Sequence, residues 1–321
     1  MKRILVIKLA ALGDVVLAFT PLKRIREAHP AAEITVLTTP PFAELFRLSP
    51  YVDRVETDGR PNGVVATLKM LWRVRRQQYD RIYDLQTSSR SSAYHLALWP
   101  KPPEWSGIAP GASHPHANPK RDRMHTLERE ADQLKSAGIW PDAPTAPGTA
   151  PSPDLSFLLK DTAPERMPEH FGLQPPYALL VPGASAHRPG KRWPTASYGA
   201  LALHLQARGL QVAIVGGPAE RSLANGIAAN VPGVLDLSGR TDFTAVASLG
   251  ARATLCVGND TGPTHLIAAT GASTLVLFSG ESDPALCAPR GKSVQVLRAD
   301  HLADLTVESV IAAVDGLIPS A

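Results

Sequence analysis

Apolar positions in this chain fall in short strand-like runs separated by stretches of helical period. Arg3 to Ile7 is such a run. After Gly13-Asp14 a helical stretch reads from about Val15 to Ala28, carrying Pro21 and stopping before Pro30. The alternation continues with strands at 33–38, 52–56 and 80–85 and helices at 42–48, 64–76, 89–98 and 124–137. Strands that alternate with helices predict crossover units and a parallel sheet, because parallel neighbours need a long return connection. Between Trp140 and Pro153 the residues Pro141, Pro144, Pro147, Pro151 and Pro153 fall where little is available to bury, which predicts a linker. The pattern then restarts, with strands at 177–181, 211–215, 233–237, 254–257, 273–278 and 294–297. Helices are expected at 195–208, 220–230, 243–249, after Gly262, and at 305–317. Two such halves predict an α/β protein of two domains, 1–165 and 166–321, with ligands expected beyond the carboxyl ends of the strands, in a cleft.

A length of 321 residues fits two domains, and 44% hydrophobic with 19% charged residues fits a folded chain. The start through Ile7 superficially looks like a signal peptide, but Lys8 and Asp14 interrupt it, so a buried first strand is expected. No run approaches the ~18 apolar residues of a membrane helix. The two cysteines, Cys256 and Cys287, lack metal-type spacing; no disulfide framework and a cytoplasmic location are expected. A net charge of +4 and a pI of 9.1 suit anionic substrates or an anionic membrane surface. That charge, without a helix-turn-helix, zinc-finger or stacking signature, does not argue for nucleic acid.

Chemistry concentrates in Val257-Gly258-Asn259-Asp260-Thr261-Gly262-Pro263-Thr264-His265-Leu266. A strand, a glycine-bordered turn and a proline in the first helical turn leave several backbone N–H groups aimed at one spot, a natural site for phosphate. His265 adds a donor; the same residue types also serve an ordinary helix cap. After Tyr177–Val181, Pro182-Gly183-Ala184-Ser185 leads to Lys191-Arg192-Trp193-Pro194, where Lys191 offers a mobile charge for phosphate and Ser185 a hydroxyl, without Walker spacing. Glu220, after Gly216-Gly217-Pro218, suits the two hydroxyls of a ribose, or its own helix start. The polar stretch Ser279–Asp283 follows another strand at a cleft edge. In the first half Asp14 is a candidate general base or a simple dipole complement, and no G-x-G-x-x-G fingerprint accompanies it. Lys120-Arg121-Asp122-Arg123 is a loop where an acidic acceptor would dock. The cluster Lys69, Trp72, Arg73, Arg75, Arg76 reads as a solvated face or a contact with anionic lipid.

Gly13-Asp14, Lys191-Arg192-Trp193-Pro194 and Gly258 through His265, in that order, resemble glycosyltransferase family 9, the ADP-heptose:lipopolysaccharide heptosyltransferases. The resemblance runs from Ile4 to the final helix. It implies a GT-B fold of two Rossmann-like parallel-sheet domains facing a central cleft, with the donor held by the C-terminal domain and the acceptor by the N-terminal one. It implies inverting transfer with no metal or other cofactor tightly bound, from a nucleotide sugar such as ADP-heptose to an anionic glycolipid, at the cytoplasmic face of the inner membrane. Asp14 then matches the base, with Gly13 beside it and Lys120, Arg121 and Arg123 toward the acceptor. Lys191, Glu220, Asp260, Thr261, Gly262 and His265 match the donor site, and Ser185 is a donor-site candidate from its loop alone. Two departures bear on substrate rather than class: residues 185–190 lack a threonine pair, and Ser279-Gly280-Glu281 stands where a Gly-Pro-Thr type of sequence is more familiar. A different nucleotide sugar, a GT-B nucleotide-sugar epimerase, or a lobe-closing binding protein are the rivals. An epimerase would turn over the donor without an acceptor, and a binding protein would release no diphosphate.

Overall fold

The first sheet is built from β1 (Arg3–Ile7), β2 (Glu33–Leu37), β3 (Arg54–Glu56), β4 (Arg81–Asp84), β5 (Glu104–Gly107) and β6 (His114–Pro115), in the order β3-β2-β1-β4-β5-β6 and parallel throughout. Its helices are α1 (Leu12–Leu17), α2 (Phe19–Ala28), α3 (Ala43–Arg47), α4 (Gly63–Arg76), α5 (Ser89–Ala97) and α6 (Thr126–Ser136). These coordinates are a computed structural model that describes residues 1–185 and 187–318. Ala186, inside the segment that departs from the family pattern, and residues 319–321 lie outside the described residues.

The second sheet is a copy of the same plan. Its strands are β7 (Tyr177–Val181), β8 (Gln211–Ile214), β9 (Leu235–Asp236), β10 (Leu255–Asn259), β11 (Ser273–Phe278) and β12 (Ser293–Arg298), ordered β12-β11-β10-β7-β8-β9 and again parallel. Its helices are α7 (Thr195–Ala207), α8 (Arg221–Ala228), α9 (Phe243–Arg252), α10 (Gly262–Ala269), α11 (Pro284–Cys287) and α12 (Val307–Asp315). The central strands β1, β7 and β10 are almost wholly buried, as an interior parallel strand covered on both faces must be.

In each sheet the strand order reverses at one place, between β1 and β4 and between β7 and β10. The chain leaves one of these neighbours in one direction and the other in the opposite direction, so their two exit loops part and leave a crevice at the carboxyl edge. Asp14 follows β1 at the first reversal, and Lys191 and Asp260 meet at the second.

The structure refines the sequence reading in three places. The helix expected over 15–28 is split at Ala18 into α1 and α2, with Pro21 in the first turn of α2, where it has no needed donor to lose. Strand β5 and the edge strand β6 have four and two residues, and β6 ends in Pro115, too little periodicity to stand out. The chain divides into compact units at Met1–Pro151 and Ser152–Ala321 rather than at 165/166. Residues 152–171 go with the second unit because Leu155, Leu158 and Phe171 are buried there, while Arg166 bonds the α9 cap residue Asp242 at 2.6 Å and Glu169 pairs with Arg252 at 3.1 Å.

Candidate functional site

The second unit's site is assembled where β7 and β10 end. Asn259, fully buried as the last residue of β10, ties the two exit loops together. Its Nδ2 donates to the carbonyls of Pro182 (2.8 Å) and Gly183 (3.2 Å), and its Oδ1 accepts from the Trp193 amide (3.3 Å) and the Tyr198 hydroxyl (3.0 Å). All four bonds are buried, so their geometry is held tightly. Two close approaches need glycine. A Cβ on Gly258 would lie 2.9 Å from Val181 Cβ and 2.4 Å from Thr264 Oγ1, and one on Gly183 would lie 2.6 Å from Glu220 Cγ.

This frame brings Lys191 and Asp260, 69 residues apart, into an ion pair of 2.5 Å between side chains that are both nearly buried. Ser282 donates to the same Asp260 oxygen at 2.7 Å, and His265 Nε2 stands 3.6 Å from the other. Burial opposes a charge on Asp260, but hydrogen bonds from His265, Lys191 and Ser282 outweigh it and hold the carboxyl well below its ordinary range. Asp260 is therefore a carboxylate at neutral pH. The helix start beside it keeps donors to give: Thr261 is the N-cap residue of α10 with no side-chain cap bond, Gly262 follows, and Pro263 occupies the first turn. Thr264 Oγ1 turns back to the Asn259 carbonyl at 2.9 Å, and buried His265 keeps Nδ1 without a partner.

Glu220 fills one of the two roles the sequence left open, that of holding its own helix start. Its Oε2 accepts from the Gly217 amide at 2.8 Å, fixing its own turn, and its stem lies against Gly183 and Gly216 at the ends of β7 and β8. Glu281 lies over Gly190, next to Lys191. Lys191 is paired with Asp260, and Glu220 and Glu281 lie along the neighbouring loops, so the site combines a cation and helix amides with carboxylates that accept from hydroxyls. Arg192 is a frame residue, donating to the Ala184 carbonyl at 3.0 Å. Ser185 stays apart from this cluster: it is exposed, and its carbonyl accepts from the Arg188 amide at 2.9 Å.

The first unit places Gly13 and half-buried Asp14 in the first turn of α1, directly after β1. Asp14 Oδ2 accepts from the Ala11 amide at 3.2 Å, which anchors the carboxylate without burying it. Behind it, at the β1/β4 reversal, lies a charged group that sequence reasoning passed over. Lys8 is buried, with Nζ 2.8 Å from Glu130 Oε1 on α6 and 3.2 Å from the Leu85 carbonyl. Burial pushes the Glu130 carboxyl up against the pull of Lys8, with Asp14 adding to the push. Asp84, the last residue of β4, is fully buried; burial pushes its carboxyl up to about 6 even though Oδ1 accepts from the amides of Gln86 (3.1 Å) and Thr87 (3.0 Å). Its Oδ2 has no partner. The available signal was a lysine and an aspartate at the ends of otherwise apolar strands.

Of the basic loop, Arg121 alone turns inward: it is half-buried, paired to Asp122 at 2.6 Å and within electrostatic reach of Asp84. Lys120 and Arg123 are exposed.

Comparison with known proteins agrees with this architecture. Lipopolysaccharide heptosyltransferase 3 of Escherichia coli is 30% identical over 172 residues, covering 47% of this chain; the chain spans about half the length of that relative, 50%. Lipopolysaccharide heptosyltransferase 1 of Pseudomonas aeruginosa is 27% identical, covering 93% of this chain and 84% of its own. The structure of E. coli ADP-heptose lipopolysaccharide heptosyltransferase II superposes with a TM-score of 0.79 at 24% identity, over 99% of this chain and 98% of that one, and the fold is the GT-B type expected. The sequence model described as glycosyltransferase family 9 (heptosyltransferase) matches residues 67–310, and the chain, a glycosyltransferase, belongs to that family.

Proposed function

We propose that this glycosyltransferase moves heptose from ADP-heptose to a sugar hydroxyl of an anionic lipopolysaccharide-core acceptor, with inversion, the second unit holding the donor and the first the acceptor. The observation that carries it is the Lys191–Asp260 pair beside the uncapped start of α10, at the reversal of the second sheet. A nucleotide sugar presents a diphosphate together with hydroxyls, and this set matches both kinds of group. Lys191 and the amides of Thr261 and Gly262 meet the diphosphate, with His265 as a further donor. Glu220 takes the ribose hydroxyls, and Ser185 lies farther along the same loop. The names of the relatives supply the sugar, the nucleotide and the class of acceptor.

In the reaction Asp14 removes the acceptor hydroxyl proton as that oxygen forms its bond to the anomeric carbon. The carbon–oxygen bond to the diphosphate breaks, and its electron pair leaves on phosphate oxygen. Lys191, drawn from Asp260 by the growing negative charge, stabilises that leaving group; such preorganised donors contribute about 2.7–4 kcal/mol each. Gly13 lets the acceptor approach Asp14 closely, and Arg121, with Lys120 and Arg123 at the rim, meets acceptor anions. A glycolipid acceptor supports a site of action at the cytoplasmic face of a membrane.

A thermal-shift panel of ADP, UDP, GDP and their sugars tests the donor: selective stabilisation by ADP and ADP-heptose is expected, about 2.7 kcal/mol at a hundredfold excess over Kd. Preference for UDP or GDP would end the heptose assignment. Release of ADP only when acceptor is added separates transfer from epimerisation.

A further inference from the structure

Helix α4 is apolar on two faces. Met70 and Val74, with Leu71 beside them, pack into the first unit's core, which is the single stripe a surface helix requires. Its other side carries Val64, Val65, Leu68 and Trp72, exposed by 75, 67, 60 and 61%. Positions 65, 68, 69, 72 and 76 recur at helical spacing and form one ridge with Lys69 and Arg76. The end of α5 and the residues after it add Leu96 and Trp99, exposed by 56 and 72%. Arg75 joins the two surfaces, its Nη1 donating to the carbonyls of Leu98 (3.3 Å) and Trp99 (3.2 Å). Six of the ten large apolar side chains exposed among the described residues lie here, two of them tryptophans. Large apolar side chains gathered on one exposed face mark a contact surface for a protein or a membrane.

The charge around the patch selects its occupant. α4 carries Lys69, Arg73, Arg75 and Arg76 and no acid, and α5 carries Arg90 and no acid. Arg73 is engaged by Glu56 and Asp58. Lys69 and Arg76 flank the ridge, the Arg76 guanidinium 5.2 Å from the Trp72 ring centroid. A second copy meeting the same face across a twofold axis would set cation against cation. Tryptophans on an apolar ridge flanked by Lys69 and Arg76 fit the headgroup boundary of an anionic bilayer. No helix among the described residues is long and apolar enough to cross a membrane, so contact through this face is peripheral.

We propose that the outer face of α4, with Trp99, seats the first unit on an anionic phospholipid bilayer, Trp72 and Trp99 lying at headgroup level. The surface deepens the glycolipid-acceptor reading and rests on it for its purpose. The test is co-sedimentation of the full chain with vesicles of phosphatidylcholine alone or mixed with phosphatidylglycerol. Salt-sensitive binding to the mixed vesicles is expected, with little to phosphatidylcholine alone. Leu68→Gln with Trp72→Gln should lower the partition coefficient roughly tenfold or more. Lys69→Glu with Arg76→Glu should lower it by at least roughly thirtyfold. These side chains face solvent, so melting temperatures and the ADP-induced melting shift should stay as in the parent. Equal binding to both vesicle types, partition untouched by either double variant, or loss of a dimer in sedimentation velocity as the sole effect of the variants would overturn the proposal. A parent that binds mixed vesicles through this face yet shows no ADP selectivity would keep the surface and fail the donor assignment.

Discussion

Asp84 offers a direct check on the buried electrostatics of the first unit. Its carboxyl is wholly enclosed at the end of β4, one oxygen held by two amides and the other unpartnered. Burial lifts it from 3.8 to about 6, against the opposing pull of Ser91, the Thr87 and Gln86 amides and Lys8. In the unfolded chain the group ionises in its ordinary range, so between pH 3.8 and about 6 the folded state binds the extra proton. The stability associated with the protonated form is fully present below pH 3.8 and is lost as the pH rises through about 6. At about 1.4 kcal/mol per pH unit, that interval corresponds to about 3 kcal/mol. Asp84→Asn keeps an acceptor for the two amides and cannot ionise. Urea unfolding of parent and variant across pH 4 to 8 isolates this group, since other titrations cancel in the difference. The variant should gain about 2.4 kcal/mol on the parent between the ends of that range, most of it by pH 7. A difference independent of pH would refute the account of Asp84 as a carboxyl held against ionisation by burial.

The remaining predictions address the ion pairs and the candidate site. Asp14→Asn should lower kcat by about 10²–10⁴ while leaving the ADP-induced melting shift in place; parental turnover would remove Asp14 as the base. Lys191→Ala should weaken ADP binding measured by calorimetry by roughly tenfold or more, the loss of one charge-assisted contact, and unchanged affinity would place the diphosphate elsewhere. Lys8→Met leaves Glu130 buried without its cation and should cost about 3–5 kcal/mol in urea unfolding, most of which Lys8→Met with Glu130→Leu recovers. Gly183→Ala must displace the Glu220 stem, and calorimetry should show weaker binding of ADP with a stability loss of about 1–3 kcal/mol.

Much of the scaffold was legible because a buried parallel strand is an uninterrupted Val/Ile/Leu run, as in Ile4–Ile7 and Leu179–Val181. The α10 start was legible because Pro263 suits the first helical turn, a local backbone preference. That Lys191 belongs with Asp260 came from resemblance, since the two are 69 residues apart and no periodicity links them. The same separation hid Lys8 with Glu130, 122 residues apart: a lysine near a strand end and a glutamate on a helix look solvated until packing brings them together. Asn259 was read as part of a turn because its four bonds are tertiary. The segment 152–165 lacks periodicity, and only the burial of Leu155 and Leu158 assigns it to the second unit.

Three of the four partners of Asn259 are main-chain atoms, the carbonyls of Pro182 and Gly183 and the amide of Trp193. A tie made to backbone holds the path of the crevice walls without prescribing their side chains. Residues in the stretch between these anchors can therefore vary while the crevice keeps its shape. Donor preference in such a chain is open to retuning by replacement within that stretch, whereas an aspartate at 259 would set a carboxylate against two carbonyl oxygens and undo the walls together.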